Sequence, residues 1–466
     1  MIKGMISKLR LRMREGSSGE SIASILGYFW PEFITSFIIS ALPLLVDANF
    51  ISHLKSTSMY GAQGIGNNSL HLFSKLAESF SVGAVILIGY FNGLHQYKKT
   101  GRVLQDAFWL TLFFGLITSC ALFMGAHVLL YWLNASPEII QFGVPFLRIR
   151  AIGVFFWFIS LAFIGFLRGI KNTRTPMYIF VIGAILFIIF DYCLIFGACG
   201  LPAMGLKGSA YASVIQNIIM AVAALCFVLF DDRYKKYGIE LLASIKEPGY
   251  FKELMILIWP VTIDKATMAI AYMWLSKMIN PMGTCVTASF CVIKDLERFA
   301  FLPAIAMAQI ITFLVSNDYG IHNWAGIQAN IKKIILLTSV MVFSILTVFT
   351  LFSASLLRIF DKSGDFTDLA LKVFPFLSVL VFFDLLQLIL SGALRGAGDV
   401  KVVMYTRLAI CLGYFVPVSY LLSGVQMADP ALKFLLIYGS FYVGNALMSI
   451  VYIYRFSSSK WKKLTV

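Results

Sequence analysis

The sequence has few charged residues and no long hydrophilic stretch. Only 13% of its 466 residues are charged, about half the share that is usual in soluble globular proteins. The longest hydrophilic interval, from Phe230 to Lys252, is too short to fold as an independent domain. The sequence therefore disfavours an enzyme with a soluble catalytic domain.

Motifs for metals, disulfides and nucleotide phosphates are missing as well. The seven cysteines stand singly in apolar runs without a CxxC pair, so we expect neither a disulfide framework nor a metal site. No GxxxxGK[ST] loop is present, which argues against ATP hydrolysis by this chain. We predict no cofactor, and any transport would draw its energy from an ion gradient or a partner.

Apolar residues are abundant instead, at 59% of the chain, and the mean hydropathy is +0.84. A helix needs about 20 apolar residues to cross a hydrocarbon core. Runs of this length predict an all-α polytopic membrane protein with about twelve spans. The predicted spans are 24–52, 69–92, 107–133, 142–167, 177–197, 209–230, 253–279, 288–316, 331–357, 368–393, 403–424 and 432–455.

Lys and Arg give the chain a formal net charge of +15. In a soluble protein this charge would suggest a nucleic-acid partner, but cations also accumulate in the short cytoplasmic loops of membrane proteins. Here they cluster in every second interval between spans, from the N-terminal cations to Lys460, Lys462 and Lys463. We therefore predict no nucleic-acid partner, an even number of spans in the cytoplasmic (inner) membrane, and both termini in the cytoplasm.

Three landmarks recur in the same order at an offset of 227 to 230 residues. The corresponding pairs are Pro31 and Pro260, Pro145 and Pro375, and Arg168 and Arg395. Each half then holds six spans, so both halves enter the membrane from the same side as parallel repeats.

The repeat predicts two pseudo-symmetric six-helix lobes, at 24–230 and 253–455. A cytoplasmic tail at 1–23, a cytoplasmic linker at 231–252 and a cytoplasmic tail at 456–466 would complete the chain. Two such lobes can rock against each other around a site near the middle of the membrane, which is how alternating access works. This architecture favours a transporter over a channel.

An ionisable group inside a span costs roughly 2.5–3.5 kcal/mol and suggests a function, and four of the carboxylates inside the predicted spans are the best candidates. Asp47 and Asp191 lie at similar depth in the first half, and Asp264 and Asp384 lie at similar depth in the second. A buried carboxylate can bind H⁺ on one side of the membrane and release it on the other as its solvation changes. We predict that these four residues couple transport to a cation.

Further charged residues are candidate supporting groups. Lys75 and Glu78 share a face of the second span, and Asp295, Glu297 and Arg298 open the eighth span together with Lys294. We expect internal ion pairs in both places. Pro31 and Pro260 each remove a hydrogen bond from the first helix of a lobe, which makes them candidate hinges.

Several longer phrases carry a family resemblance. They are LRGIKNTRTP after the fourth span, DYCLIFGACGLPAMGLKGSAYAS from Asp191, RFAFLPAIAMAQIITFLVSNDYG in the eighth span, and DLLQLILSGALRGAGD from Asp384. With the spacing of Pro31 and Asp47, they make the chain resemble the multidrug and toxic compound extrusion (MATE) family over essentially its whole length. The resemblance implies a twelve-helix, two-lobe antiporter that expels small organic, often cationic, compounds in exchange for H⁺ or Na⁺.

The resemblance also implies roles for individual residues. Asp residues at the positions of Asp47 and Asp191 are implicated in H⁺ or Na⁺ coupling in the family. Asp384 matches a cation-site Asp of one branch, with Gln387 in register as a candidate supporting residue.

Two positions depart from the family pattern. Phe187 stands where many members have an Asn, one turn before the second Asp, and a hard cation such as Na⁺ wants several oxygen ligands. The first pair of carboxylates therefore favours H⁺. Met268 stands where the branch has the acidic partner of Asp384. At this second pair of carboxylates, Na⁺ or K⁺ remains a possible coupling ion.

Other functions remain as alternatives. Relatives in the same superfamily flip lipid-linked saccharides, although their cavities are commonly more cationic. A third hypothesis is a receptor or scaffold protein that keeps the fold but does not transport a substrate. For the exporter we expect a small organic substrate, contact with membrane lipid and a monomeric state, and the sequence leaves drug efflux and export of an endogenous metabolite equally open.

Overall fold

The fold is described from a computed structural model, which covers residues 19–40, 42, 46–54, 56–133, 135–198, 200–241, 249–360 and 367–463. Within these ranges the helices are joined by short turns and loops, and there is no strand, as predicted. Most of the predicted N-terminal tail, part of the predicted linker and the last three residues lie outside the described residues.

Two compact units divide the described chain. The first contains the residues up to Phe29 together with those from Ile263 onward, and the second runs from Trp30 to Thr262. The chain thus passes between units inside two long helices. The lobes at 24–230 and 253–455 were predicted from the sequence repeat, and they stay a prediction.

The described residues of the first half form seven α-helices. They are α1 (Ile22–Ser40), α2 (Ala48–Ser52), α3 (Thr57–Gly93), α4 (Tyr97–Trp132), α5 (Pro137–Gly169), α6 (Arg174–Phe196) and α7 (Leu206–Phe230). A 3-10 helix, Asp232–Tyr237, follows α7. Its Tyr234 and Tyr237 are buried against Phe166, so this start of the predicted linker packs onto the helices before it.

The second half begins with α8 and ends in a 3-10 helix, Lys460–Lys463. Its α-helices are α8 (Phe251–Ile279), α9 (Thr284–Ala300), α10 (Leu302–Gly320), α11 (Trp324–Leu351), α12 (Ser353–Phe360), α13 (Thr367–Gly396), α14 (Val400–Ile410), α15 (Val416–Gly424) and α16 (Pro430–Ser457). A π-helical segment, Cys411–Phe415, joins α14 to α15.

Eleven of the described helical segments are long and apolar enough to cross a membrane. A twelfth span results if α9 and α10, which meet at an angle of 47°, are counted together. The predicted eighth span at 288–316 thus corresponds to this bent pair of helices. Pro303 lies in the first turn of α10, and a proline cannot donate the hydrogen bond that would continue α9 through this point.

The central helix of each repeat is its fourth span. α5 packs against α3, α4 and α7, and α13 packs against α10, α11 and α16. Both helices end in a GxxxG pattern, a motif that lets helix backbones approach closely. A Cβ added to Gly396 would lie 2.4 Å from the carbonyl oxygen of Thr312, and one added to Gly169 would lie 2.5 Å from Ile88.

A further repeat lies at the ends of α3 and α10. His95 and His322, 227 residues apart, both adopt a left-handed backbone conformation with φ of 57°, a region in which non-glycine residues are uncommon. Tyr97 and Trp324 follow two residues later and pack on Tyr237 and Trp461, respectively. Trp461 is fully buried, so the chain folds back on itself after α16.

Polar side chains also cap the first helix of each repeat. In the second unit, Asp106 of α4 accepts hydrogen bonds from the backbone N–H of Gly249 and Tyr250, at 3.2 and 2.6 Å, just before α8. In the first unit, Asn330 of α11 accepts one from the N–H of Glu20 at 2.8 Å, just before α1. Helix starts have unpaired N–H groups that such acceptors satisfy.

Candidate functional site

Asp47 and Asp191 come together in the second unit. Both are buried, at 2% and 0% exposure, and each acts electrostatically on the other. Asp47 immediately precedes α2 and accepts a 2.6 Å hydrogen bond from the Ser209 hydroxyl of α7. Neither carboxylate oxygen of Asp191 is within hydrogen-bond geometry of a described residue, although the Ser209 hydroxyl also lies close enough to act on this carboxylate.

Arg150 of α5 belongs to the same cluster and was not predicted as a site residue. Its guanidinium donates to the Ser213 hydroxyl and interacts electrostatically with both carboxylates. Ser209 and Ser213 are four residues apart on α7, and residues at this spacing share a helix face. Arg150 lies in an apolar run five residues after Pro145, and no spacing in the sequence links it to either carboxylate.

Phe187 lies in α6, one turn before Asp191, and is buried at 4% exposure. It packs in an apolar cluster with Leu194 and Ala212. The side of Asp191 that faces the preceding turn is therefore apolar, and no amide oxygen reaches the carboxylate from this position.

In the first unit, Asp264 of α8 is held by two arginines. Arg395 at the end of α13 donates to Oδ2 at 2.5 Å, and Nε of Arg407 of α14 donates to Oδ1. Asp264 is 1% exposed, so its charge is compensated within a buried network. Arg407 falls inside the predicted span 403–424 but was not predicted as a site residue, and the structure places it in α14 beside Asp264.

Asp384 joins this network through amide side chains. Its Oδ1 accepts hydrogen bonds from Gln387 at 3.3 Å and from Asn445 of α16 at 3.0 Å. The Gln387 oxygen in turn accepts from Arg407 at 3.1 Å. Asp264 and Asp384 are thus linked through Arg407 and Gln387 rather than in direct contact.

A cavity opens beside this network. It is bordered by polar groups of Arg407 and Asn445 and by apolar side chains that include Met268 and Met448. Met268 therefore lines the cavity at the position where the family resemblance had placed an acidic residue.

Glu297 forms a different contact from the one expected. Its Oε2 accepts a hydrogen bond from Tyr438 of α16, and its Oε1 is buried without a partner among the described residues. Asp295, by contrast, interacts electrostatically with Lys294 and Arg298. The predicted ion pairing at the start of the eighth span therefore does not include Glu297.

The expected pair Lys75 and Glu78 is present at 2.9 Å, with side chains 34% and 24% exposed. A second pair was missed by sequence reasoning. Arg168 at the end of α5 donates two parallel hydrogen bonds of 2.8 Å to Glu32 of α1, whose side chain is fully buried. Glu32 adjoins Pro31, but its partner lies 136 residues further along the chain, so no spacing in the sequence indicates the pair.

The candidate hinges lie inside long helices, Pro31 in α1 and Pro260 in α8. In both helices a threonine hydroxyl forms an additional hydrogen bond with a backbone carbonyl at or near the proline. Thr35 donates its hydroxyl to the carbonyl of Pro31 at 2.8 Å, and Thr262 donates to that of Ile258 at 3.0 Å.

Across the residues that the structure describes, no three His, Cys, Asp or Glu side chains come together as a metal-binding group. The carboxylate clusters are thus pairs with polar or cationic neighbours. Such an arrangement suits a proton or a monovalent cation better than a transition metal, which wants several ligands of its own.

The chain matches the family model MatE twice, over residues 31–193 and 260–421. The two matches fall in the two halves of the chain and together cover more than half of it. They begin at Pro31 and Pro260, the first pair of landmarks in the repeat.

Similar proteins are found among bacterial transporters. The chain is 24% identical over 357 residues to "Probable multidrug resistance protein NorM" of Thermotoga maritima, covering 76% of each chain. It is 23% identical over 352 residues to "Multidrug resistance protein NorM" of Photobacterium profundum, covering 74% of this chain and 76% of that one.

Solved structures share the fold. "Outward-facing conformation of a multidrug resistance MATE family transporter of the MOP superfamily" superposes with a TM-score of 0.84 at 19% identity, covering 95% of this chain and 96% of that one. "Crystal structure of MATE in the bent conformation" gives 0.83 at 19% identity, covering 96% and 98%.

Proposed function

Because the chain belongs to the MatE family of membrane transporters, which are not enzymes, we propose that it is a proton-coupled antiporter of small organic cations. Ion-coupled antiport is the mode of transport in this family. The coupling ion, the substrate class and the residues named below are our proposal for this chain.

The pair of Asp47 and Asp191 carries the proposal. A carboxylate inside a membrane span is costly, and an unpaired buried charge is more costly still. Asp191 has no hydrogen-bond partner among the described residues, so this carboxyl group is stabilised when it binds a proton or when a cation lies beside it. Competition of a proton and a cationic substrate for the same carboxylates would couple the two fluxes in opposite directions.

Two observations favour H⁺ over Na⁺ at this pair. Phe187 supplies an apolar contact where an amide oxygen would otherwise complete a cation site. The hydroxyl of Ser209 already donates to Asp47, so few free oxygens remain for a hard cation, which needs about six. A proton needs one.

The second cluster plays a supporting role in this proposal. Asp264 is compensated by two arginines and Asp384 by two amides. Glu297, which has one oxygen without a partner among the described residues, is the group of this cluster best placed to take a second proton. Na⁺ or K⁺ binding beside Asp384 would require the amides of Gln387 and Asn445 to turn their oxygens inward.

We further propose that the protein is a monomer in the cytoplasmic membrane with both termini in the cytoplasm, in keeping with the alternation of cationic loops. Its substrate is a drug or an endogenous metabolite. The relatives described above bear the names of drug-resistance proteins, which does not favour the alternative of a lipid-linked saccharide flippase.

The test is uptake of ethidium, a permanent monocation, into proteoliposomes under an imposed pH gradient or an imposed Na⁺ gradient. We expect the pH gradient to drive uptake in the wild type. Asp47→Asn and Asp191→Asn should each abolish the driven component. Asp232→Asn, a change at an exposed residue of the 3-10 helix, is the matched control and should transport like the wild type. Unchanged pH-driven uptake in both Asp47→Asn and Asp191→Asn would refute the coupling site.

A further inference from the structure

Arg150 brings a permanent positive charge to the pair of carboxylates, although it forms no direct bond with either. The Ser209 hydroxyl binds Asp47, and Arg150 binds the hydroxyl of Ser213, four residues further along α7. Adjacent turns of a helix are about 5–6 Å apart. The guanidinium and the carboxylates therefore lie within reach of a strong electrostatic interaction.

The other described charged residues of α3, α5 and α7 are paired with each other or with another residue, or are exposed. Lys75 and Glu78 of α3 are paired with each other. Arg148 of α5 is exposed and lies over the ring of Phe123, and Lys207 of α7 is exposed. The charged groups that act on Asp191 are Asp47 and Arg150.

The charge of the cluster then follows from its members. With both carboxylates ionised, Asp47, Asp191 and Arg150 carry one net negative charge, and one bound proton makes the cluster neutral. A neutral cluster is favoured in a medium of low dielectric constant. One proton and one monovalent cation are thus equivalent occupants.

We infer that Arg150 is a fixed counter-charge that neutralises one of the two carboxylates, so that the cluster has a single exchangeable charge and selects monovalent organic cations. This inference rests on the proposed function. It explains why two carboxylates are needed to exchange one proton. Without Arg150 a single carboxylate would suffice, and the full pair would suit a dication.

The first test asks whether a second substitution restores the transport that a first substitution abolishes. Asp191→Asn leaves Asp47 and Arg150 as a neutral pair with nothing to exchange, so pH-driven ethidium uptake should fall at least tenfold. Adding Arg150→Gln removes the counter-charge and leaves Asp47 free to exchange a proton. We expect Asp191→Asn/Arg150→Gln to recover uptake to within about threefold of the wild type, on the scale of one charge interaction.

The matched control is Asp191→Asn/Arg148→Gln, which removes a neighbouring cation of the same helix that faces away from the pair. It should stay as defective as Asp191→Asn. The rescued variant removes one positive and one negative charge together, so the cluster keeps the net charge of the wild type and becomes neutral, as in the wild type, when one proton binds. Asp47→Asn/Arg150→Gln repeats the test with the other carboxylate.

The outcomes separate the inference from the proposed function. If Asp47→Asn and Asp191→Asn transport like the wild type, the coupling site itself is wrong. If both single variants fail and neither rescued variant recovers uptake, although both elute as folded protein, the role of Arg150 is wrong and the coupling site stands. Recovery in the Arg148 control would also overturn the inference.

A binding measurement provides a second readout that does not require transport. Ethidium and propidium share one ring system, but propidium carries a second positive charge. We expect Arg150→Gln to raise the affinity of the purified protein for propidium relative to ethidium by about tenfold or more. Arg150→Lys should keep the wild-type ratio. An unchanged ratio in Arg150→Gln would contradict the inference.

Discussion

Arg168 and Arg395 hold corresponding positions in the two repeats, yet they bind carboxylates that do not correspond. Arg168 binds Glu32, one residue after Pro31, whereas Arg395 binds Asp264, four residues after Pro260. Each pair ties the first helix of a repeat to the end of its fourth span. The two repeats thus keep the same connection between helices with different anions.

Breaking the first of these pairs should be strongly destabilising. Arg168→Met leaves Glu32 buried and unpaired, and the loss of one partner from a buried ion pair typically costs about 3–5 kcal/mol. We expect a clear drop in the melting temperature of the detergent-solubilised protein, measured by intrinsic fluorescence. Glu32→Gln/Arg168→Met should recover much of the loss, and a double variant no more stable than Arg168→Met would contradict this account.

The close approach at Gly396 should tolerate no side chain. In Gly396→Ala the new methyl group would meet the backbone oxygen of Thr312, so α10 and α13 must separate, at a cost of about 1–3 kcal/mol. Gly125→Ala in α4 is the matched control, because no atom lies within 4 Å of its added Cβ. Equal melting temperatures for the two variants would show that the packing is looser than the structure indicates.

An amide at position 187 should alter the choice of coupling ion. Phe187→Asn places an oxygen one turn before Asp191 and adds a ligand of the kind that Na⁺ prefers. We expect a Na⁺ gradient to drive ethidium uptake in this variant in addition to a pH gradient. Phe187→Leu controls for the lost ring, and a Na⁺ response no larger than in Phe187→Leu would speak against Phe187 as a determinant of ion choice.

The two capping residues should contribute similar stabilities. Asp106→Ala and Asn330→Ala each remove an acceptor from the start of a helix, and the loss of such a cap costs about 0.5–2 kcal/mol. Because the two sites lie in separate units, we expect their effects on the free energy of unfolding to add. A double variant that differs from the sum by more than about 0.5 kcal/mol would reveal coupling between the sites.

The sequence predicted the spans well because their signal is local. Ten of the twelve predicted spans coincide with a single long helix or with one that carries a short extension, since apolar length alone defines them. The start of α3 was missed by twelve residues, because 57–68 is rich in small and polar residues. The break before Pro303 and the π-helical segment at Cys411 depend on local hydrogen bonding, which the hydropathy of the sequence does not reveal.

The functional cluster was predicted only in part. Placing a carboxylate inside a membrane span is costly, and this made Asp47, Asp191, Asp264 and Asp384 recognisable within their apolar runs. Among their partners only Gln387 was predicted, and the pair of Arg168 and Glu32 was missed. Arg150, Arg407 and Glu32 come from distant parts of the chain, and no spacing links Arg150 to Asp191 or Glu32 to Arg168. The repeat at His95 and His322 was overlooked because only their shared backbone conformation reveals it.

The capped starts of α1 and α8 show how the two halves of the chain depend on each other. Each unit contains the first half-helix of the opposite half of the chain, cut near Phe29 and Thr262. Exchange of an element between two protomers in this way is called domain swapping. Here the exchange takes place within one chain, so neither half of the sequence contains all the residues of one compact unit.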